Sequence, residues 1–264
     1  MNCKICNNIS EKIFITKVLL KFDVTYFQCT NCQFIQTEKP YWLNEAYESA
    51  ISNLDLGLIY RNYNNQFLVK KLINDLLNKN GKFVDYGGGY GMLVRLMRDS
   101  GFDFYRQDYF CENLFSKYFD VTDLPLNTKF ELLCAFEVFE HIEDPKVELE
   151  KMLSYSDNII FTTELQPQKN LTPKNWWYFI PETGQHISLF SKKSLILLGE
   201  KFDLNYQGYN ETIHIFSKQK MKFNFKPSFK ERILNKIIRM INQENKTSLL
   251  YEDFEFIKKK LIDN

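Results

Sequence analysis

The run Phe83-Val84-Asp85-Tyr86-Gly87-Gly88-Gly89-Tyr90-Gly91 restricts the fold of this chain more than any other stretch. A short apolar strand ends in an acidic residue. A turn with glycines at 87, 89 and 91 follows, and Met92-Leu93-Val94-Arg95-Leu96-Met97 opens a helix. Glycines two apart let a backbone bend sharply and let a ligand approach the main chain. A turn at the carboxyl end of a first strand is where open α/β sheets hold nucleotides. Spacing then separates the kinds of nucleotide turn. A dinucleotide fingerprint needs Gly-x-Gly-x-x-Gly, but counting from Gly87 or Gly89 puts Met92 or Val94 where the third glycine belongs. A phosphate-binding loop needs Gly-Lys-Ser/Thr, which the chain lacks. The pattern that remains is Asp-x-Gly-x-Gly-x-Gly.

The cysteines give a second constraint. Four of the six form Cys3-x-x-Cys6 and Cys29-x-x-Cys32, separated by 22 residues, while Cys111 and Cys134 stand alone. Met1-Asn2-Cys3-Lys4 begins no signal-peptide hydrophobic region, and no run of ~18 apolar residues is present, so a cytoplasmic, reducing setting without a transmembrane segment is expected. There, two CxxC pairs read as a tetrahedral zinc site, with a pair of disulfides as the alternative. Four thiolates close the coordination shell, which makes the zinc structural. Phe14, Ile15, Val18, Leu19 and Leu20 supply strand material for a hairpin between the pairs.

At 264 residues, one medium domain with additions or two small domains are expected. Residues 1–40 form the zinc-ribbon-like module. Residues 41–80 read as a helical linker or lid, with Ala46, Tyr47, Ala50, Ile51 and Leu54 and then Leu58 to Leu77 at helical spacing, stopped by Asn80-Gly81. Residues 81–217 alternate strands (82–86, 102–107, 130–136, 158–163, 203–209, 211–217) with helices (91–99, 145–153, 191–200), the last capped by Ser191. That alternation predicts an α/β fold with a mainly parallel sheet and helices on both faces. Residues 218–264 are basic, with 12 Lys/Arg against 6 Asp/Glu, and have helical periodicity at Ile233, Leu234, Ile237, Ile238 and Ile241. A helical cap on the sheet or a homodimer contact is expected of them. The net charge of +1 gives no strong nucleic-acid signal.

Asp85-x-Gly87-x-Gly89-x-Gly91 resembles motif I of the class I S-adenosylmethionine-dependent methyltransferases. Glu137-Val138-Phe139-Glu140-His141-Ile142-Glu143-Asp144-Pro145 resembles the motif after the fourth strand of that superfamily. With the cysteine quartet in front, residues 3–217 resemble the zinc-ribbon-bearing members, including sugar methyltransferases and enzymes of surface-polysaccharide precursors. The resemblance implies a Rossmann-like, seven-stranded, mostly parallel sheet and S-adenosyl-L-methionine as cofactor. It places the glycine turn, Asp85 and Glu137 along the cofactor cleft. It assigns Asp108, 23 residues after Asp85, to two ribose hydroxyls, with Tyr109 and Phe110 against the adenine. Arg61 would meet the methionyl carboxylate and Tyr47 would cover the cleft. The Leu-x-Pro-Gly-Gly turn usual before the fifth strand is replaced by Ser154-Tyr155-Ser156-Asp157, and the last 45 or so residues do not match the sugar C-methyltransferases. O-, N- and C-methylation therefore stay open.

The aromatic segment Asn175-Trp176-Trp177-Tyr178-Phe179-Ile180-Pro181-Glu182-Thr183-Gly184-Gln185-His186 follows the fifth strand, on the ligand side of an open sheet. Aromatic faces beside polar groups suit a sugar or another small hydroxylated acceptor. His186 is the general-base candidate, with Glu182, Tyr178 and His141 as further catalytic candidates; a purely structural role for His141, pinning its loop, is the competing expectation. His214, in mid-strand, reads as structural. Transfer of a sulfonium methyl requires no metal. Two other functions stay open, an RNA methyltransferase that grips RNA through the zinc module and a non-enzymatic scaffold that keeps the fold.

Overall fold

The computed structural model describes residues 1–48, 52–168, 171–224 and 248–263. Its first sheet starts with a hairpin, β1 (Ser10–Val18) and β2 (Phe22–Cys29), and continues with β3 (Ile35–Thr37). Leu19 and Leu20 both take positive φ at the hairpin tip, as a turn matched to strand twist requires. The helical segment is α1 (Leu43–Ala46) and α2 (Leu58–Leu76), two pieces rather than one run.

The second sheet carries the glycine turn. After α2 come β4 (Lys82–Tyr86), α3 (Met92–Asp99), β5 (Asp103–Gln107), β6 (Leu132–Ala135), α4 (Pro145–Tyr155) and β7 (Asn158–Thr162). β8 (Ser188–Leu189), α5 (Lys192–Glu200), β9 (Asn205–Gly208) and β10 (Ile213–Ser217) complete the series. The strand order is β5-β4-β6-β7-β10-β9. β4 to β7 are parallel and β10 is antiparallel to both neighbours. The chain leaves β4 toward β5 on one side and returns to β6 on the other, so the carboxyl ends of these strands flank a crevice.

The expected α/β architecture is present with six strands in this sheet among the described residues. Between β5 and β6 the chain forms only one short helical turn, Val121–Asp123, and no crossover helix, so the seventh strand expected is not formed among the described residues. An isolated parallel bridge between Arg106 and Asp120 stands at the β5 edge, held by the Arg106 Nη1 to Asp120 Oδ1 bond of 2.7 Å. Ser191 caps α5, and Asp144 caps α4 with Pro145 in its first turn.

Period-two alternation divides the core. Phe83, Phe104, Leu132, Ile160 and Ile215 face α2 and α3. Val84, Leu133, Ile159, Phe161 and Phe216 face α4 and α5. Ile5, Phe34, Cys3, Cys29 and Cys32 belong to this second cluster, with Phe34 5.0 Å and Phe139 5.8 Å from Phe190 between ring centroids. β8 pairs with β3 through Ile35–Leu189 and Gln36–Ser188, so the first sheet includes a strand from late in the chain. Trp176, Tyr178 and Phe179 pack on Tyr26 and Trp42 in the core of that sheet. Most of the aromatic loop is therefore structural. Among the described residues, no helix is long and apolar enough to cross a membrane. The periodic residues Ile233 to Ile241 lie outside the described residues; the later helix Leu250–Asp263 is described.

Candidate active site

A cleft of about 890 Å³ opens at the carboxyl ends of β4, β5 and β6. The glycine turn forms its floor. Gly87 and Gly89 take φ of +69° and +53°. A Cβ at Gly87 would stand 2.7 Å from Val138 Cγ2, whereas Gly89 has nothing within 4 Å of that position and leaves the main chain open to the cleft. Gly91 also has positive φ, but it caps α3 against Ser116 and does not line the cleft. Its part in the turn is local backbone geometry, between Tyr90 and Met92, which line the cleft.

Asp85 lies buried on the cleft wall. Burial, reinforced by repulsion from Asp108 and opposed by Arg106, raises its pKa to about 8. Asp108 reaches the cleft beside it, but its carboxylate is already busy. Oδ1 accepts from the Phe110 and Cys111 N–H groups at 2.8 Å, and Oδ2 accepts from the Gly89 N–H at 2.9 Å. A carboxylate has about four lone-pair positions. Three are filled, which leaves room for one hydroxyl where two were expected. Tyr109 and Phe110 line the cleft with 72% and 80% of their surfaces exposed, and Phe110 stacks on Tyr47 at 5.9 Å.

A second cavity, of about 750 Å³, adjoins the first; Arg61, Glu137, His141 and Gln185 line both. Arg61, on α2, pairs with Asp55 at 2.5 Å and lies 3.8 Å from Glu137. Glu137 follows β6 with φ of +55°, a conformation that costs a non-glycine residue about 1–2 kcal/mol. Thr162 holds it there, accepting from its N–H at 2.8 Å and donating to its Oε1 at 2.7 Å. Strain held this way at the end of a parallel strand fixes a carboxylate at the mouth of both cavities.

The second cavity brings together His141, Tyr178 and His186. His186 Nδ1 is 2.6 Å from the Tyr178 carbonyl. A carbonyl only accepts, so Nδ1 carries the proton and Nε2 keeps its lone pair. His141 Nδ1 meets the Tyr47 hydroxyl at 3.0 Å, and the Gln185 carbonyl lies beside the ring. Burial pulls the His186 pKa down to about 4 and that of His141 to about 3, the latter also through His186. Both imidazoles are neutral at neutral pH.

Glu140, in the short turn Phe139–His141, is wholly buried behind these rings, and neither carboxylate oxygen has a partner in normal hydrogen-bond geometry. Burial, then the charge of Glu137, holds its pKa well above the carboxylate range. Glu182 does not line either cavity and pairs with Lys258 at 2.8 Å. The structure does not bring it to the histidines with which the sequence groups it. Trp177 does reach the second cavity, while Trp176 donates to Glu164. Both nitrogens of His214 are engaged, by Tyr206 and the Thr163 carbonyl, as a structural histidine requires.

Sequence reasoning missed Gln185, which lines both cavities and donates to the Ala46 carbonyl at 2.9 Å. It also missed Thr162, whose place opposite Glu137 follows from strand pairing rather than from any motif. Leu250, Tyr251 and Phe254 of the C-terminal helix wall the second cavity. The apolar spacing Leu250, Phe254, Ile257 and Leu261 was the available signal.

The four Sγ atoms of Cys3, Cys6, Cys29 and Cys32 lie within 4.8 Å of one another. Cys3–Cys32 and Cys6–Cys29 approach to 3.5 and 3.4 Å. Sulfurs bound at ~2.3 Å around one tetrahedral ion stand about 3.8 Å apart. The Ile5 and Cys32 N–H groups donate to Cys3 and Cys29 sulfurs, so the donor set fits a zinc ion.

The chain is similar to an O-methyltransferase family 2 protein from Planctomyces limnophilus, solved with apigenin (11% identity, 65% of this chain and 63% of that one, TM-score 0.43). It is also similar to magnesium protoporphyrin IX methyltransferase from Synechocystis with bound SAH (12%, 67% and 94%, 0.42). A third likeness is to a Haloferax volcanii complex of the Trm112 methyltransferase activator and a methyltransferase (12%, 67% and 98%, 0.49). The chain spans less than two thirds of the Planctomyces protein's length. No curated protein matches it. The family described as "Methyltransferase domain" matches residues 60–207, more than half of the chain. That span runs from α2 through the glycine turn, Glu137 and His186 to β9, and the chain belongs to this family, the class I S-adenosylmethionine-dependent methyltransferases.

Proposed function

We propose that this protein transfers a methyl group from S-adenosyl-L-methionine to a small hydroxylated acceptor, a nucleotide-linked sugar or a surface-glycan precursor. The observation that carries the reading is the pair of adjoining cavities sharing Arg61, Glu137, His141 and Gln185. One has the open glycine floor, and the other has polar groups beside the exposed face of Trp177. Gly87, Gly89, Asp85 and Asp108 hold the donor on the first side, under Tyr47, Tyr109 and Phe110. Arg61 meets its carboxylate. When bound, S-adenosylmethionine supplies an electrophilic methyl on a positively charged sulfur, which becomes a neutral thioether on transfer.

The chain's own part is placement and proton removal. Holding the acceptor oxygen in line with the methyl removes a large entropic barrier, and walling off water protects the reaction. The acceptor's proton leaves to the cluster of Glu137, His141 and His186. Residues 1–40 serve as a structural zinc module, 41–80 as a lid and 81–217 as the catalytic unit, and in the extension 218–264 the helix Leu250–Asp263 closes the acceptor side.

Incubating the protein with S-adenosylmethionine and pools of nucleotide sugars and glycan precursors should yield a product heavier by one methylene in mass spectra. His186→Ala should reduce its formation at least tenfold, with donor affinity changed less than twofold. No methylated product from any hydroxylated pool would remove the acceptor class, and unchanged turnover in the variant would remove His186 from the site.

A further inference from the structure

Among the described residues, Glu140 is the one acid with both carboxylate oxygens buried and unpartnered. Its carboxylate is fully buried with both oxygens unpartnered, a state that costs several kcal/mol unless something compensates it. The Tyr178 hydroxyl lies close by, outside normal hydrogen-bond geometry. What Glu140 does face is two imidazoles. One ligand atom each from Glu140, His141 and His186 lies within 4.8 Å of the others. Ligands at ~2.1 Å on opposite sides of one ion are ~4.2 Å apart, so small side-chain shifts bring the three onto a common centre.

We infer that Glu140, His141 and His186 bind one first-row divalent cation at the wall where the two cavities meet. Two further features favour it. The backbone partner of His186 leaves Nε2 with a free lone pair, as outer partners of metal-bound histidines do, and Tyr47 orients His141, whose ring would exchange its contact with the Gln185 carbonyl for the ion. The carboxylates of Asp55 and Glu137 also stand beside the site, against the guanidinium of Arg61. Two nitrogens and one carboxylate suit manganese, iron or cobalt better than magnesium, which prefers an all-oxygen shell.

Three protein donors leave positions open on the cavity side, where His141 and His186 are lining residues. The ligand class is an acceptor offering a hydroxyl, best with a second oxygen adjacent. This part rests on the methyl-transfer reading; the cation site does not. A bound hydroxyl gives up its proton to Glu137, a carboxylate that lines both cavities. The oxygen lone pair then forms the new O–CH3 bond as the CH3–S bond breaks, with that electron pair returning to sulfur. His186 acts here as a ligand, and Tyr47 is a positioning residue.

The test is a Mn2+ titration of the zinc-loaded protein, followed by the loss of the free-ion electron paramagnetic resonance signal. Thiolates hold zinc far better than manganese, so the cysteine site does not interfere. One Mn2+ per chain is expected, with affinity at least tenfold weaker in Glu140→Gln and in His186→Gln. Donor affinity is measured on the same samples. Folded wild type that binds S-adenosylmethionine but no Mn2+ overturns the cation site and leaves Glu140 a protonated buried acid. Binding of Mn2+ without the donor supports the site and overturns the methyl-transfer reading instead. Variants that are folded and bind Mn2+ as wild type does also overturn the assignment.

Discussion

Zinc removal is expected to unfold far more than the first forty residues. Metal binding contributes on the order of 10 kcal/mol to structural zinc sites, close to the whole stability of an ordinary domain. Here the loss would spread by named contacts. The Ser191 hydroxyl, which caps α5, also donates to the Cys32 carbonyl at 2.6 Å. Phe34 packs on Phe190 and, through it, on Phe139 beside the buried Glu140. β3 holds β8, two residues beyond His186. Cys29 and Cys32 are fully buried, so their thiols cannot turn to water when the metal leaves. The expected result is one zinc per chain by elemental analysis. Chelation, or Cys32→Ser, should cut the melting temperature by more than ten degrees and abolish turnover. Retained stability and activity without zinc would show that the cysteines form no structural metal site.

Asp108→Ala is expected to weaken donor binding at least tenfold and to lower stability by about 1–3 kcal/mol. The two effects have one origin. The carboxylate pins the glycine turn to the loop after β5 by accepting from Gly89, Phe110 and Cys111. Its remaining lone pair can take one hydroxyl, a charge-assisted bond of about 1.5–3 kcal/mol. Asp108→Asn keeps an oxygen for Phe110 and Cys111 but turns an amide N–H toward the Gly89 N–H. It should recover part of the stability and little of the affinity. Calorimetric titration and thermal unfolding separate the two, and normal donor affinity in both variants would contradict the assignment.

What the sequence disclosed, and what it did not, follows from range. The glycine turn, β4 to β7, the Asp144 and Ser191 caps and the cysteine quartet are local patterns, and each is where its spacing put it. Functions that depend on long-range pairing were hidden. Nothing near Glu137 indicates that Thr162, 25 residues on, will hold it. Nothing near Cys32 indicates that residues 188–189 will complete its sheet. The aromatic loop misled because aromatic residues suit both a ligand wall and a core. Trp176 and Phe179 are core, and only part of the segment reaches the cavity. Glu182 was placed by its neighbours in sequence, yet its carboxylate turns to Lys258.

The central claim is that the cleft at the carboxyl ends of β4, β5 and β6 holds the methyl donor. Isothermal titration of the folded, zinc-loaded protein with S-adenosylmethionine tests it most directly. Saturable binding of one donor per chain is predicted, and its absence from folded, zinc-loaded protein would contradict the account.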